Sequence, residues 1–176
     1  LLGGDLEICR EKEALCSAKF LPAADGRIRG WLYRDFVLSL HLLIFDKQKE
    51  QRSVSCQNVY DLLRRQKEET RRELEALWRS RDLAAGRDLA AFPELYRKVF
   101  EEAEALLQSG LRSPVKMVRD KILTHHEVKT EGKQRRLYRL SDFPEITPEA
   151  LRQLLEEAAV FIRDLQLLVN PGSTQP

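Results

Sequence analysis

Apolar residues recur three and four positions apart along most of the chain, the period at which one face of an α-helix meets a core. The last segment shows it most clearly: Leu151, Leu154, Leu155, Ala158, Phe161, Ile162, Leu165 and Leu168 form one stripe. Thr147 and Pro148 supply its cap and first turn, and Asn170, Pro171 and Gly172 end it. A helix over 93–108 opens on Pro93 and lines Leu95, Val99, Ala103, Leu106 and Leu107 along one side, with Ser109 and Gly110 as its stop. Ser113 followed by Pro114 predicts the cap and first turn of a short helix over 114–124, burying Val115, Val118 and Ile122.

Earlier in the chain, Asp5 reads as the N-cap of a helix through Leu6, Ile8, Cys9, Leu15, Cys16 and Phe20, ending before Pro22. Residues 28–45 are apolar nearly all round, which predicts a helix with several neighbours at the centre of a bundle. Ser53 or Ser55 can cap a long helix that ends near Gly86, with the charged run 64–72 as its solvated face and room for a kink. Residues 127–143, with Gly132 and alternating Leu137, Tyr138 and Leu140, read as a loop or a small β-hairpin.

These elements add up to one all-α domain over 1–171, a bundle of five or six helices, with 172–176 as a disordered tail. Composition agrees: 8 glycines and 7 prolines in 176 residues, with 7% aromatics, speak against a sandwich or barrel of short strands. The longest apolar runs, such as 36–45, fall far short of the roughly 20 residues that cross a bilayer, so no membrane partner is expected. Cys9, Cys16 and Cys56 form no C-x-x-C pair and are odd in number, which fits a reducing cytoplasm. The chain begins with Leu1 and has its only methionine at 117, so its native start is expected upstream; no signal peptide is read into its first residues.

Chemistry enters through charge. Thirty basic and 28 acidic side chains give +2, which by itself names no partner. Residues 112–139, however, hold nine basic and three acidic side chains, a net +6 that leaves −4 on the rest. Glycine-rich phosphate loops, Glu-x-x-His pairs, zinc spacings and G-x-S-x-G are all missing, so no metal or cofactor is expected. Within 116–127 stand Arg119, a permanent cation with paired donors for phosphate oxygens, and two of the three histidines, His125 and His126. Together they are the minimum for RNA cleavage without metal, in which a histidine moves a proton during 2′-hydroxyl attack and an arginine offsets charge on the phosphorane. Lys116, Lys121, Arg135 and Arg136 would meet the backbone and Tyr138 would stack. The plainer alternative is that a cation and a histidine near a helix C-terminus only favour the helix dipole and face water. His41, between Leu40 and Leu42, reads as a hydrogen-bonded core or interface residue rather than a catalyst.

The run Arg119-Asp120-Lys121-Ile122-Leu123-Thr124-His125 resembles the arginine, polar residue, spacer, histidine signature of HEPN-domain proteins. Leu32-Tyr33-Arg34-Asp35 through Leu38, Leu40 and Leu43 to Phe45-Asp46-Lys47, then residues 53–63, is similar to the early helices of the abortive-infection AbiU-type branch. The likeness extends over roughly residues 28–168 in the order and type of segments. It implies an all-α bundle that dimerises through its central helices, so that two Arg/His motifs face each other in a shared cleft. Many such proteins are metal-independent endoribonucleases acting as toxins or phage-defence effectors, some with an antitoxin protein as partner, while others only bind RNA, a nucleotide or a protein. Carried over, Arg119 binds and stabilises the phosphate, His125 is the general acid/base, and Asp120 orients the pair. Ideal helical winding instead aligns Arg119 with His126, seven positions on, and offsets His125 by about 120°; irregular winding near Thr124 would remove that conflict. A purely structural helical interaction protein is the remaining reading.

Overall fold

The computed structural model describes residues 2–17, 26–47, 54–65, 67–85, 89–124, 127–132 and 134–170. Among these are seven α-helices: α1 (Leu2–Ser17), α2 (Gly26–Leu40), α3 (Cys56–Arg65), α4 (Lys67–Ala85), α5 (Phe92–Leu107), α6 (Arg112–Val118) and α7 (Pro148–Val169). Two helices run on into π-helical turns, α2 into His41–Phe45 and α6 into Arg119–Thr124. An antiparallel hairpin of β1 (Val128–Glu131) and β2 (Gln134–Leu137) pairs Val128 with Leu137 and Glu131 with Gln134. Gly132 takes a φ of 59° in the connection, where a side chain would be strained. The residues expected to form the disordered tail, 172–176, lie outside the described residues.

The all-α bundle read from the periodicity is the observed architecture. The long helix expected to run to Gly86 is described on both sides of residue 66, as α3 and α4, and that residue lies outside the described ones. Each has its own inward side chains, Tyr60 and Leu63 on α3 and Trp78 on α4. Helix starts differ as well. α1 begins at Leu2, so Asp5 lies in its first turn instead of capping it, still well placed for the dipole. α6 begins at Arg112, which puts Ser113 inside the helix; the turn is closed by Arg112 N–H donating to the Ser109 carbonyl at 3.0 Å. Two caps stand as read: Ser55 Oγ accepts from Asn58 N–H at 3.2 Å, and Thr147 Oγ1 from Ala150 N–H at 3.1 Å.

The buried side chains form one cluster. α7 is its spine, burying Leu151, Leu154, Leu155, Ala158, Phe161, Ile162 and Leu168 against α1, α4 and α5. The end of the second helix is its hub: Phe36, Val37, Leu40, His41, Leu43, Ile44 and Phe45 are all buried, and the π turn touches α1, α3, α5 and α6. Only this end is central, for Trp31 at the other end of α2 is 70% exposed. Cys9 and Cys56 are buried and unpaired, and burial pushes both thiols up to about 12, which leaves them inert as nucleophiles. No helix among the described residues is long and apolar enough to cross a membrane.

Among the described side chains of α4, Trp78 alone is buried; its indole N–H donates to the Leu168 carbonyl at 2.7 Å and its ring meets the edge of Phe92. Trp78→Phe removes the hydrogen bond and leaves a partly empty site, which should cost about 1–3 kcal/mol in urea unfolding. A change within experimental error would show that α4 is not anchored there.

Candidate active site

The short helix α6 is held at its start by a chain of polar contacts to α3. Arg112 donates to Gln57 Oε1 at 2.8 Å and to the Leu107 carbonyl at 3.1 Å, and Gln57 Nε2 donates to Asp61 at 2.9 Å. Val115, Val118 and Ile122 face the core, the last from within the second π turn. This fixes the direction in which the next residues leave the helix.

Arg119 opens that π turn, and its guanidinium is held from two sides. Nε and Nη2 both meet Asp120 Oδ1, at 2.7 and 2.5 Å. Nη1 approaches His41 Nε2 at 3.0 Å and Asp46 Oδ1 at 4.0 Å. The side chain remains 27% exposed. Asp46 is itself tied, because Ser55 Oγ donates to its carbonyl as the first residue before α3. Arg119 and Asp120 open one π-helical turn, His41 opens the other and Asp46 follows it directly, and wide turns of this kind are frequent at functional sites.

An arginine has no lone pair, so the contact with His41 fixes the imidazole as acceptor at Nε2 with its proton on Nδ1. That Nδ1 is buried and has no hydrogen-bond partner among the described residues. Burial first, then the Arg119 charge, push the His41 pKa down to about 4, against smaller opposing effects of Asp46 and Asp120. His41 is therefore a neutral hydrogen-bond acceptor at neutral pH. The hydrogen-bonded core role read from its neighbours in sequence is what it has; its partner, 78 positions away, was not legible in spacing.

The histidines expected to complete the motif, His125 and His126, lie outside the described residues. Their flanks are tied together: Glu127 N–H donates to the Lys121 carbonyl at 2.8 Å, and Lys121 Nζ pairs with the Glu127 carboxylate at 2.6 Å. The turn before them, Arg119–Thr124, is wound wider than an α-helix, the opposite of the tightening that would bring position 125 onto the face of Arg119, and it leaves the choice between His125 and His126 open.

The expected RNA-facing residues fall into two groups. Lys121 sits 4.8 Å above the Tyr138 ring, which stacks on Phe143, so these two pack against each other beside the π turn. Arg136 meets Asp142 through both Nη atoms at 2.6 and 2.7 Å and reaches Glu131 as well, while Lys129 pairs with the same two carboxylates. Hydrogen bonds from Arg136 and from the Arg139 N–H hold the Asp142 carboxyl well below the usual carboxylate range. Lys116 and Arg135, in contrast, are exposed with no ion-pair partner among the described residues. The net +6 already subtracts Asp120, Glu127 and Glu131, and Asp142, outside the stretch, takes up further charge from Arg136 and Lys129. No three His, Cys, Asp or Glu side chains among the described residues converge as a metal site would need.

The folded protein keeps His41 neutral, whereas an unfolded histidine takes up a proton near pH 6.5. Above that pH the group costs nothing; as pH falls from about 6.5 toward 4 the unfolded state gains a proton the folded state refuses, and stability drops. Urea unfolding at pH 7 and 4.5 should show a larger loss for wild type than for His41→Gln, by roughly 1–2 kcal/mol. Equal losses would mean that His41 titrates freely in the folded protein.

No curated protein and no solved structure matches the chain. A family model does, HEPN_AbiU2, described as AbiU2, over residues 11–176. That span takes in α2 to α7, both π turns and the hairpin, and with nearly the whole chain matched the protein belongs to the HEPN AbiU2 family.

Proposed function

We propose that the chain is a cytoplasmic, metal-independent endoribonuclease of a prokaryotic abortive-infection or toxin–antitoxin system, acting as a homodimer in which two Arg119 motifs share a cleft. The observation that carries the reading is the held but accessible guanidinium of Arg119, fixed by Asp120 and His41 with its remaining surface open.

In this mechanism His125, six positions after Arg119, takes the proton of a ribose 2′-hydroxyl as its oxygen bonds to phosphorus. Arg119 offsets the charge that builds on the phosphorane oxygens, and a fixed cation is worth more there than a mobile one because nothing reorganises during the step. The bond from phosphorus to the 5′-oxygen then breaks, and that oxygen leaves with a proton. The products are a 2′,3′-cyclic phosphate and a 5′-hydroxyl end. Asp120 keeps the guanidinium plane directed, and His126 stands in reserve for His125. Lys116 and Arg135 are the cations best placed to follow the RNA backbone, with Lys121, Arg136 and Tyr138 shaping the base of the hairpin.

A second reading is favoured by one observation, the compensation of Lys121, Lys129 and Arg136 by carboxylates of the same segment. A HEPN module that binds RNA, a nucleotide or a protein such as an antitoxin without cleaving needs less free charge than a nuclease. Cleavage itself separates the two.

Mixed RNA incubated with the protein in excess EDTA should yield cyclic phosphate and 5′-hydroxyl ends, with Arg119→Ala and His125→Ala each slowing the reaction about 10²–10⁴-fold and His126→Ala leaving it within a few fold. Intact RNA with folded protein would move the assignment to the binding module, and cleavage equal in all variants would remove Arg119 and His125 from the chemistry. For binding, Lys116→Ala and Arg135→Ala should each lower the slope of log Kobs against log salt by about 1. Arg136→Ala should lower the melting temperature instead, with little effect on that slope; the reverse pattern would place Arg136 on the RNA.

A further inference from the structure

Resting on the reading of Arg119 as the phosphate-binding group, we propose that His41 is a positioning residue for the reaction, whose neutral Nε2 aims the Arg119 guanidinium at the scissile phosphate. Three observations carry it. The Nη1 to Nε2 distance of 3.0 Å joins residues 78 apart in sequence. His41 is 2% exposed and lies in the π turn that packs against α6, so its position is set by the core and not by solvent. Its Nδ1 is buried with no partner among the described residues, so the site keeps a polar group where an apolar side chain would leave none unpaired.

The chemistry of the pair explains that choice. Asp120 takes Nε and Nη2 on one edge of the guanidinium and adds a negative charge. A second carboxylate in contact at Nη1 would neutralise the cation further, and Asp46 stays back at 4.0 Å. A neutral imidazole acceptor fixes the other edge without adding charge, so Arg119 stays electropositive toward a phosphorane. His41 touches no substrate atom, since it is enclosed; it acts through Arg119.

Single-turnover RNA cleavage by His41→Leu and His41→Gln, with melting curves for both, tests this. Leucine removes the acceptor, whereas the glutamine amide oxygen can stand where Nε2 stood. His41→Leu should lose about 10–100-fold in kcat with KM within a few fold, and His41→Gln should recover most of the loss. Glutamine no better than leucine, with both melting like wild type, would overturn the proposal, as would full activity in His41→Leu. If wild type cleaves no RNA, the ribonuclease reading fails separately, and the geometry is still tested by the ¹⁵N spectrum of labelled histidines near pH 7. His41 should show the Nδ1–H tautomer with an Nε2 resonance moved by hydrogen bonding, reverting in Arg119→Ala; identical spectra in the two proteins would overturn it.

Discussion

A guanidinium cannot shed its charge, and a helical bundle that draws one toward its core must meet it with acceptors. The Arg119 side chain is that constraint in this protein. Two π-helical turns, one ending the second helix and one ending α6, bring Asp120 to one edge of it and His41 to the other, with Asp46 behind. The rest of the fold can be traced from this meeting. Arg112 and Gln57 fix the start of α6, Ser55 fixes Asp46 at the start of α3, and the buried run Leu43 to Phe45 seats the first π turn among four helices.

Function follows from how unevenly the charges are satisfied. The hairpin carries four of the nine basic residues of 112–139, and Asp142 and Glu131 hold two of them, Lys129 and Arg136. Arg119, by contrast, is oriented without being used up, and the uncompensated Lys116 lies one turn before it on α6. An oriented cation with free surface beside a tied hairpin base suits a phosphate bound at one point and a strand guided past it. Membership of the HEPN AbiU2 family agrees with that arrangement without requiring catalysis of it.

Much of the bundle was legible because helix periodicity and caps are local. The α7 stripe, the Thr147 cap, the Ser55 cap and the turn at Gly132 all follow from residues within a few positions of one another. The start of α6 at Arg112 was not, because tertiary packing decides where a marginal turn continues. The site divides in the same way. Arg119 and Asp120 could be picked out as a motif, and His41 could be read as a polar group needing a partner. That the two needs answer each other depends on a contact across 78 residues and on two π turns, which no spacing announces. Net charge is a coarse guide for a similar reason: the +6 over residues 112–139 already subtracts Asp120, Glu127 and Glu131, but Asp142, which pairs with Arg136 and Lys129, lies outside that stretch.

The central claim is that Arg119, held by His41 and Asp120, receives the scissile phosphate. A crystal structure with an RNA oligonucleotide carrying a 2′-deoxy residue at the cleavage position tests it most directly. The account requires a phosphate oxygen within hydrogen-bond distance of Arg119 while its contacts to Asp120 Oδ1 and His41 Nε2 persist. An oligonucleotide bound on another face, or one that reaches Arg119 only after the contact with His41 is broken, would contradict it.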